Sequence, residues 1–134
     1  DIPWKEFKRV EFTNAPNSGK AYSAYEVKKI SGTVETTKGE SLSGEIIFDL
    51  DEEYNFEIIQ GEDDDIEYFI PIENIKSFSP RNYDNARIVL KSGKELTLGS
   101  GRDVSDENEG VLVFNSSGKP TYVKYENIKQ INFN

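Results

Sequence analysis

The sequence predicts an all-β protein built from one unit used twice, and three observations carry that expectation. Apolar residues alternate with polar ones instead of recurring every three or four positions, which is the period of a strand. The stretch VETTKGESLSGEIIFDLDEE (34–53) returns as IVLKSGKELTLGSGRDVSDE (88–107), matching Gly39 with Gly93, Leu42 with Leu96, Asp49 with Asp103 and Glu53 with Glu107. Further on, FIPIENIKSF (69–78) falls on YVKYENIKQI (122–131), so that Glu73, Asn74, Ile75 and Lys76 meet Glu126, Asn127, Ile128 and Lys129. Four consecutive identities with matched apolar neighbours mark a repeated supersecondary unit.

Residues 1–26 stand outside the repeat. PWKEFKRVEF spaces Trp4, Phe7, Val10 and Phe12 first as a helix and then as a strand would, so a short turn or helix leading into a strand is expected there. Trp4 is expected to cap an open end of the first unit, and TNAPNSGK (13–20) to form a loop around Pro16 and Gly19. In the first unit, 27–80, Leu42, Ile46, Phe48 and Leu50 share one strand face, as do Ile66, Tyr68, Ile70 and Ile72. TKGE and KSGKE place a Gly where a tight hairpin needs positive φ, and GEDDD and NSSGKP mark two later turns. IENIK and YENIK are too short for an α-helix and suit a single 3₁₀ turn.

The second unit, 86–134, repeats the order: strand, hairpin, strand, strand, hairpin, strand, 3₁₀ turn, short strand. That is the plan of a small SH3-like or Sm-like barrel, and two such barrels of about five strands each are expected in tandem. The joining segment around Pro80 and Asn82–Asn85 is short, and each unit is near the lower size limit for an independent core, so the two are expected to pack on each other.

Composition narrows the chemistry. The chain has no His and no Cys, which removes the commonest general base, the thiol nucleophile, and the imidazole and thiolate metal ligands. No apolar run is long enough for a membrane-spanning helix. Net charge is −9, and thirteen acids with no Lys or Arg lie between Lys38 and Lys76, while the flanking segments are slightly basic. Such a distribution repels nucleic acid and attracts cations, a basic protein partner or an envelope component. GSGR (99–102) lacks the following helix and the Lys-Ser/Thr pair of a phosphate loop, so it reads as a bend or bulge.

Two chemical possibilities remain among the acids. DLDEE (49–53) and DVSDENEG (103–110) occupy equivalent places in the two units, and Asp103, Asp106 and Asn108 have the closely spaced oxygen donors that suit Ca²⁺, without EF-hand spacing; solvated acidic turns are the plainer reading. An acidic hydrolase using paired carboxylates is the alternative, although no spacing identifies a pair. The expectation is a non-enzymatic binding or structural module.

EFTNAPNSGKAYSAY, SGTVETTKGESLSGEIIFDLDEE, IEYFIPIENIKSF and GVLVF together resemble a group of exported bacterial proteins in which a G-T-V strand, a W/F-D-L-D-E stretch and an I/V-x-F/Y-x-I strand recur. The resemblance spans nearly the whole chain and implies export by way of a leader. That group has no assigned activity, so the resemblance supplies no functional residue.

Overall fold

The computed structural model describes residues 2–14 and 24–134. The described residues form ten strands: β1 (Ser31–Thr36), β2 (Ser41–Phe48), β3 (Ile58–Asp63), β4 (Ile66–Pro71), β5 (Ile75–Pro80), β6 (Asn85–Leu90), β7 (Glu95–Gly99), β8 (Val111–Phe114), β9 (Pro120–Val123) and β10 (Ile128–Phe133). Among the described residues helical backbone is limited to 3₁₀ turns, and those at Ile72–Asn74 and Tyr125–Asn127 are the two expected within ENIK.

The all-β expectation holds, but the expected pair of separate barrels is not seen. All ten strands join one antiparallel sheet that does not close, in the order β4-β3-β7-β6-β5-β10-β1-β2-β8-β9. That order is its own mirror under the repeat, because each strand maps onto the one five places later in the chain. The boundary at 81–85 therefore divides the sequence pattern, while strand pairing crosses it.

The joining segment supplies the physical reason. Arg81 N–H donates to the Asn85 carbonyl at 3.0 Å, and the Asn82 side chain accepts from the N–H groups of Asp84 and Asn85 at 2.9 and 3.0 Å. Such an Asx turn reverses the chain within a few residues. β6 must then pair with β5, the place that the first unit's own opening strand would take in a self-contained barrel. β1 is left to pair with β10 at the other end of the chain.

Equivalent pairings recur in both halves of the sheet, always across the repeat. Val34 lies opposite Ile131 as Ile88 lies opposite Phe78, and both ladders carry a bulge at the same point, before Thr36↔Ile128 and at Leu90↔Ile75. Thr37 N–H donates to the Asn127 carbonyl at 2.9 Å, and Lys91 N–H to that of Asn74 at 2.9 Å. Gly39 and Gly93 take φ of +86° and +91° in the matching hairpins, a backbone region that favours glycine. β5 and β10 meet at Phe78↔Ile131, residues equivalent in the repeat, so a local twofold passes between them.

One continuous core results. Phe78 is fully buried, with its ring edge-on to Phe48 of β2 at 5.0 Å and to Tyr125 at 6.2 Å. Side chains from both units therefore close over the central strands, and Ile75 and Ile128 sit at matching buried positions directly after their 3₁₀ turns.

The N-terminal expectations need correction. A 3₁₀ turn does form at Trp4–Glu6, but residues 7–14 add no strand to the sheet. Trp4 is 83% exposed and its ring meets Phe7 at 5.4 Å, so it caps no core; a segment this short and charged, with Lys5, Lys8 and Arg9 between its apolar residues, does not bury both. The loop expected at 13–20 lies outside the described residues from 15 onward.

Candidate functional site

The two equivalent acidic segments converge where β2 and β7 end. After Phe48 the chain turns through Asp49 and Leu50, both at positive φ, and returns so that Phe48 N–H donates to the Glu52 carbonyl at 2.9 Å. Neither residue is glycine, so the turn carries backbone strain. Asp49 is held in that conformation by its own side chain, which is only 2% exposed. One carboxylate oxygen accepts from Glu109 N–H and the other lies 3.0 Å from Arg102 Nε, while Arg102 Nη2 reaches Glu109 Oε2 at 3.2 Å.

On the second segment the chain breaks instead of turning tightly. Ser100 adopts φ +56°, and Gly101 passes so close to β3 that a Cβ there would lie 2.5 Å from the Gln60 carbonyl oxygen. GSGR is thus the bend expected from sequence, and close backbone approach is the reason for its glycine. A 3₁₀ turn at Arg102–Val104 then buries Val104 and lets the Asp103 carboxylate accept from Gln60 N–H at 2.7 Å.

Asp103, Asp106 and Asn108 therefore have different tasks. Asn108 is buried and closes its own loop, donating from Nδ2 to the Asp103 carbonyl at 2.9 Å and accepting from Gly110 N–H at 2.8 Å. Asp106 is exposed, and its backbone N–H donates to the Tyr83 carbonyl at 2.8 Å. Among the described residues a separate group, Asp49, Asp51 and Glu52, has carboxylate oxygens that all lie within 4.8 Å of one another and could hold a metal ion.

Charge in this cluster is offset in part by Arg102 and by a raised carboxyl. Burial pushes the Glu52 carboxyl up to about 8, and a hydrogen bond and the negative charge of Asp51 push it the same way, followed by Asp103 and Asp49. Burial likewise raises Asp49 and Asp103, against the hydrogen bonds and the Arg102 charge that lower them. Near neutrality Glu52 thus keeps a proton and can donate to Asp51, while Arg102 faces Asp49. Sequence reasoning matched Asp49 with Asp103 but missed Glu52 and Arg102; the signal was the repeat itself, since interleaved units bring equivalent loops together.

A second feature is the pair of strands that bound the sheet. Among the described residues β4 pairs only with β3, and β9 only with β8. The β3–β4 hairpin carries Glu62, Asp63, Asp64 and Asp65, with Asp64 and Asp65 both at positive φ in the turn. Lys5 of the N-terminal segment reaches Asp65 at 3.5 Å. β9 is bracketed by exposed Lys119 and Lys124. Phe69 on β4 and Tyr122 on β9 are equivalent in the repeat and about half exposed, at 48% and 50%, whereas their neighbours Ile70 and Val123 are buried.

A separate open groove of about 1310 Å³ is lined by Tyr25, Val27, Phe56, Glu73 and Phe133, among others, away from the acidic cluster. No helix among the described residues is long and apolar enough to cross a membrane. No protein-family model, no curated protein and no solved structure matches this chain.

Proposed function

We propose that the chain is a non-enzymatic binding module that recognises a basic, extended segment of a protein or envelope component at the acidic end of its sheet. The observation that carries this reading is β4: a sheet edge with no further strand on it among the described residues, beside four consecutive acids, Glu62–Asp65. Unpaired backbone groups can accept an added strand, and the acids would select its charge. The strand orders β4-β3-β7-β6-β5 and β9-β8-β2-β1-β10 support reading each half of the sheet as an SH3-like unit assembled from two parts of the chain. An exported setting, implied by the resemblance, belongs to the same proposal.

Calorimetric titration with a peptide of alternating Lys and Val, about ten residues long, tests it. Binding should be saturable, weaken with salt and be lost in the triple variant Asp63→Asn, Asp64→Asn, Asp65→Asn. Absence of binding, or equal binding by the triple variant, would refute the reading.

Glu52 favours a second reading, an acidic hydrolase. A carboxyl raised to about 8 by burial and by neighbouring acids is the arrangement a general acid needs. Turnover of a panel of polysaccharides between acid and neutral pH, abolished in Glu52→Gln with the fold intact, would support it. Turnover of none of them, or turnover unchanged in that variant, removes it.

A further inference from the structure

The two edges of the sheet are complementary to each other. β4 and β9 are related by the local twofold, yet their charges are opposite: Glu62, Asp63, Asp64 and Asp65 precede β4, while Lys119 precedes β9 and Lys124 follows it. Neither lysine takes part in any of the ion pairs among the described residues. A β4–β4 or β9–β9 contact would set like charges together, whereas β4 against β9 sets unlike ones.

One antiparallel register brings Lys124 toward the acidic end of β4 and Lys119 to the end that carries Glu73. With Phe69 opposite Tyr122, Glu67 falls opposite Lys124, and Pro71 falls opposite Pro120. The two prolines, which lack an N–H, then share one end of the ladder. Phe69, Tyr122, Glu67 and Lys124 all lie on one face by the alternation of the strands, the face away from buried Ile70 and Val123. The half-exposed aromatics thus become a cross-strand pair, a favourable contact in antiparallel sheets.

From this juxtaposition we propose that the β4 edge of one copy takes the β9 strand of a second copy as its basic extended segment, joining copies head to tail. The inference rests on the reading of β4 as a binding edge and names its partner. Because the contact is heterologous, each added copy leaves one β4 and one β9 open, so assembly continues instead of stopping at a dimer.

The absence of cysteine from the chain makes cross-linking a clean test. Phe69→Cys protein mixed with Tyr122→Cys protein under oxidation should give a mixed disulfide several-fold faster than either variant alone, and faster than Phe69→Cys with a Ser116→Cys control. Adding Lys119→Glu and Lys124→Glu to the Tyr122→Cys chain should return the rate to that of the control. In sedimentation velocity the unmodified chain should grow with concentration past the dimer, and the Lys119→Glu, Lys124→Glu variant should remain monomeric with unchanged melting temperature. Phe69→Cys pairing with itself as fast as with Tyr122→Cys, or a chain that stays monomeric at every concentration, overturns the inference. Binding of the Lys/Val peptide separates the two ideas. If the peptide binds and copies do not associate, the self-assembly proposal fails alone; if the peptide also fails to bind, the reading of β4 fails with it.

Discussion

β2 and β7 occupy equivalent places in the repeat and end differently. β2 continues through Ile46, Ile47 and Phe48 and pairs with β8 over four residues; β7 stops at Gly99 and touches β3 at a single pair, Glu62↔Gly99. The three residues that extend β2 correspond to Ser100, Gly101 and Arg102. Where the first copy has apolar side chains to bury, the second has a left-handed serine, a glycine pressed on β3 and an arginine turned to Asp49. Shared residues fix the topology, and the divergent ones bring the shared acids Asp49 and Asp103 into one junction. The bulges, the Asn74 and Asn127 carbonyls, the glycine hairpins and the acids Asp49 and Asp103 are common to both copies, whereas Ser100, Gly101 and Arg102 belong to the second alone.

The most damaging way to break this comparison is to remove what both copies share. Phe78→Ala should cost about 3–5 kcal/mol, because a buried ring leaves a cavity that packed neighbours fill only partly. Since Phe78 packs between Phe48 and Tyr125, the whole sheet should still melt in one transition in urea, seen alike by fluorescence and circular dichroism. Two separable transitions would mean that the halves fold independently.

Next in size is the divergent position itself. Gly101→Ala sets a Cβ against backbone, 2.5 Å from the Gln60 oxygen, and should destabilise by about 1–3 kcal/mol, as overpacking does. Ile47→Val at the equivalent place in β2 removes one methyl group without such a clash and should cost less; equal losses in urea melts would show that the bend is not pressed on β3.

The junction also makes stability depend on pH. A carboxyl whose value is raised in the folded state, here from 4.5 to about 8, favours folding fully below 4.5 and loses that contribution as pH rises through about 8. Stability should therefore fall across that window. Glu52→Gln, which keeps the shape of the protonated form, should flatten the slope and exceed the unmodified chain by about 1–2 kcal/mol at the alkaline end, after the screening that a partly exposed group experiences. Parallel pH profiles of the two proteins would contradict the assignment.

The smallest effect is expected at the β3–β4 tip. Asp65 is exposed at φ +63°, so Asp65→Gly should stabilise by about 0.5–1 kcal/mol, through relief of the left-handed backbone and of a crowded negative charge. The lost contact with Lys5 is solvent-exposed and offsets little. A lower melting temperature would mean that the turn depends on the aspartate side chain.

Much of the local structure was legible. Period-two alternation marks Ile46 and Phe48, and Ile70 and Ile72, as buried, and Gly39, Gly93 and ENIK mark hairpins and 3₁₀ turns, because each depends on a few neighbouring residues. Alternation does not say which strand lies alongside, since Val34 is equally satisfied opposite either copy of the last strand. The Asx turn at Asn82 decided that, and a four-residue connection that reads as a linker in sequence acts as a hairpin in space. At the junction, Asp49 and Asp103 were visible as equivalent acids. The proton on Glu52 and the Arg102 partner follow only from burial against the second copy, which sequence spacing does not show.

The interleaving of the two copies is the central claim, and one pair of engineered disulfides tests it most directly. Thr33 lies opposite Asn132 across β1 and β10, whereas two self-contained barrels would set it opposite Ser79, the repeat equivalent of Asn132. In a chain that has no other cysteine, Thr33→Cys with Asn132→Cys should oxidise to an intramolecular disulfide and raise the melting temperature, and Thr33→Cys with Ser79→Cys should stay reduced in the native protein. Ready closure of the Thr33–Ser79 pair, with the Thr33–Asn132 pair left open, would contradict the interleaved sheet.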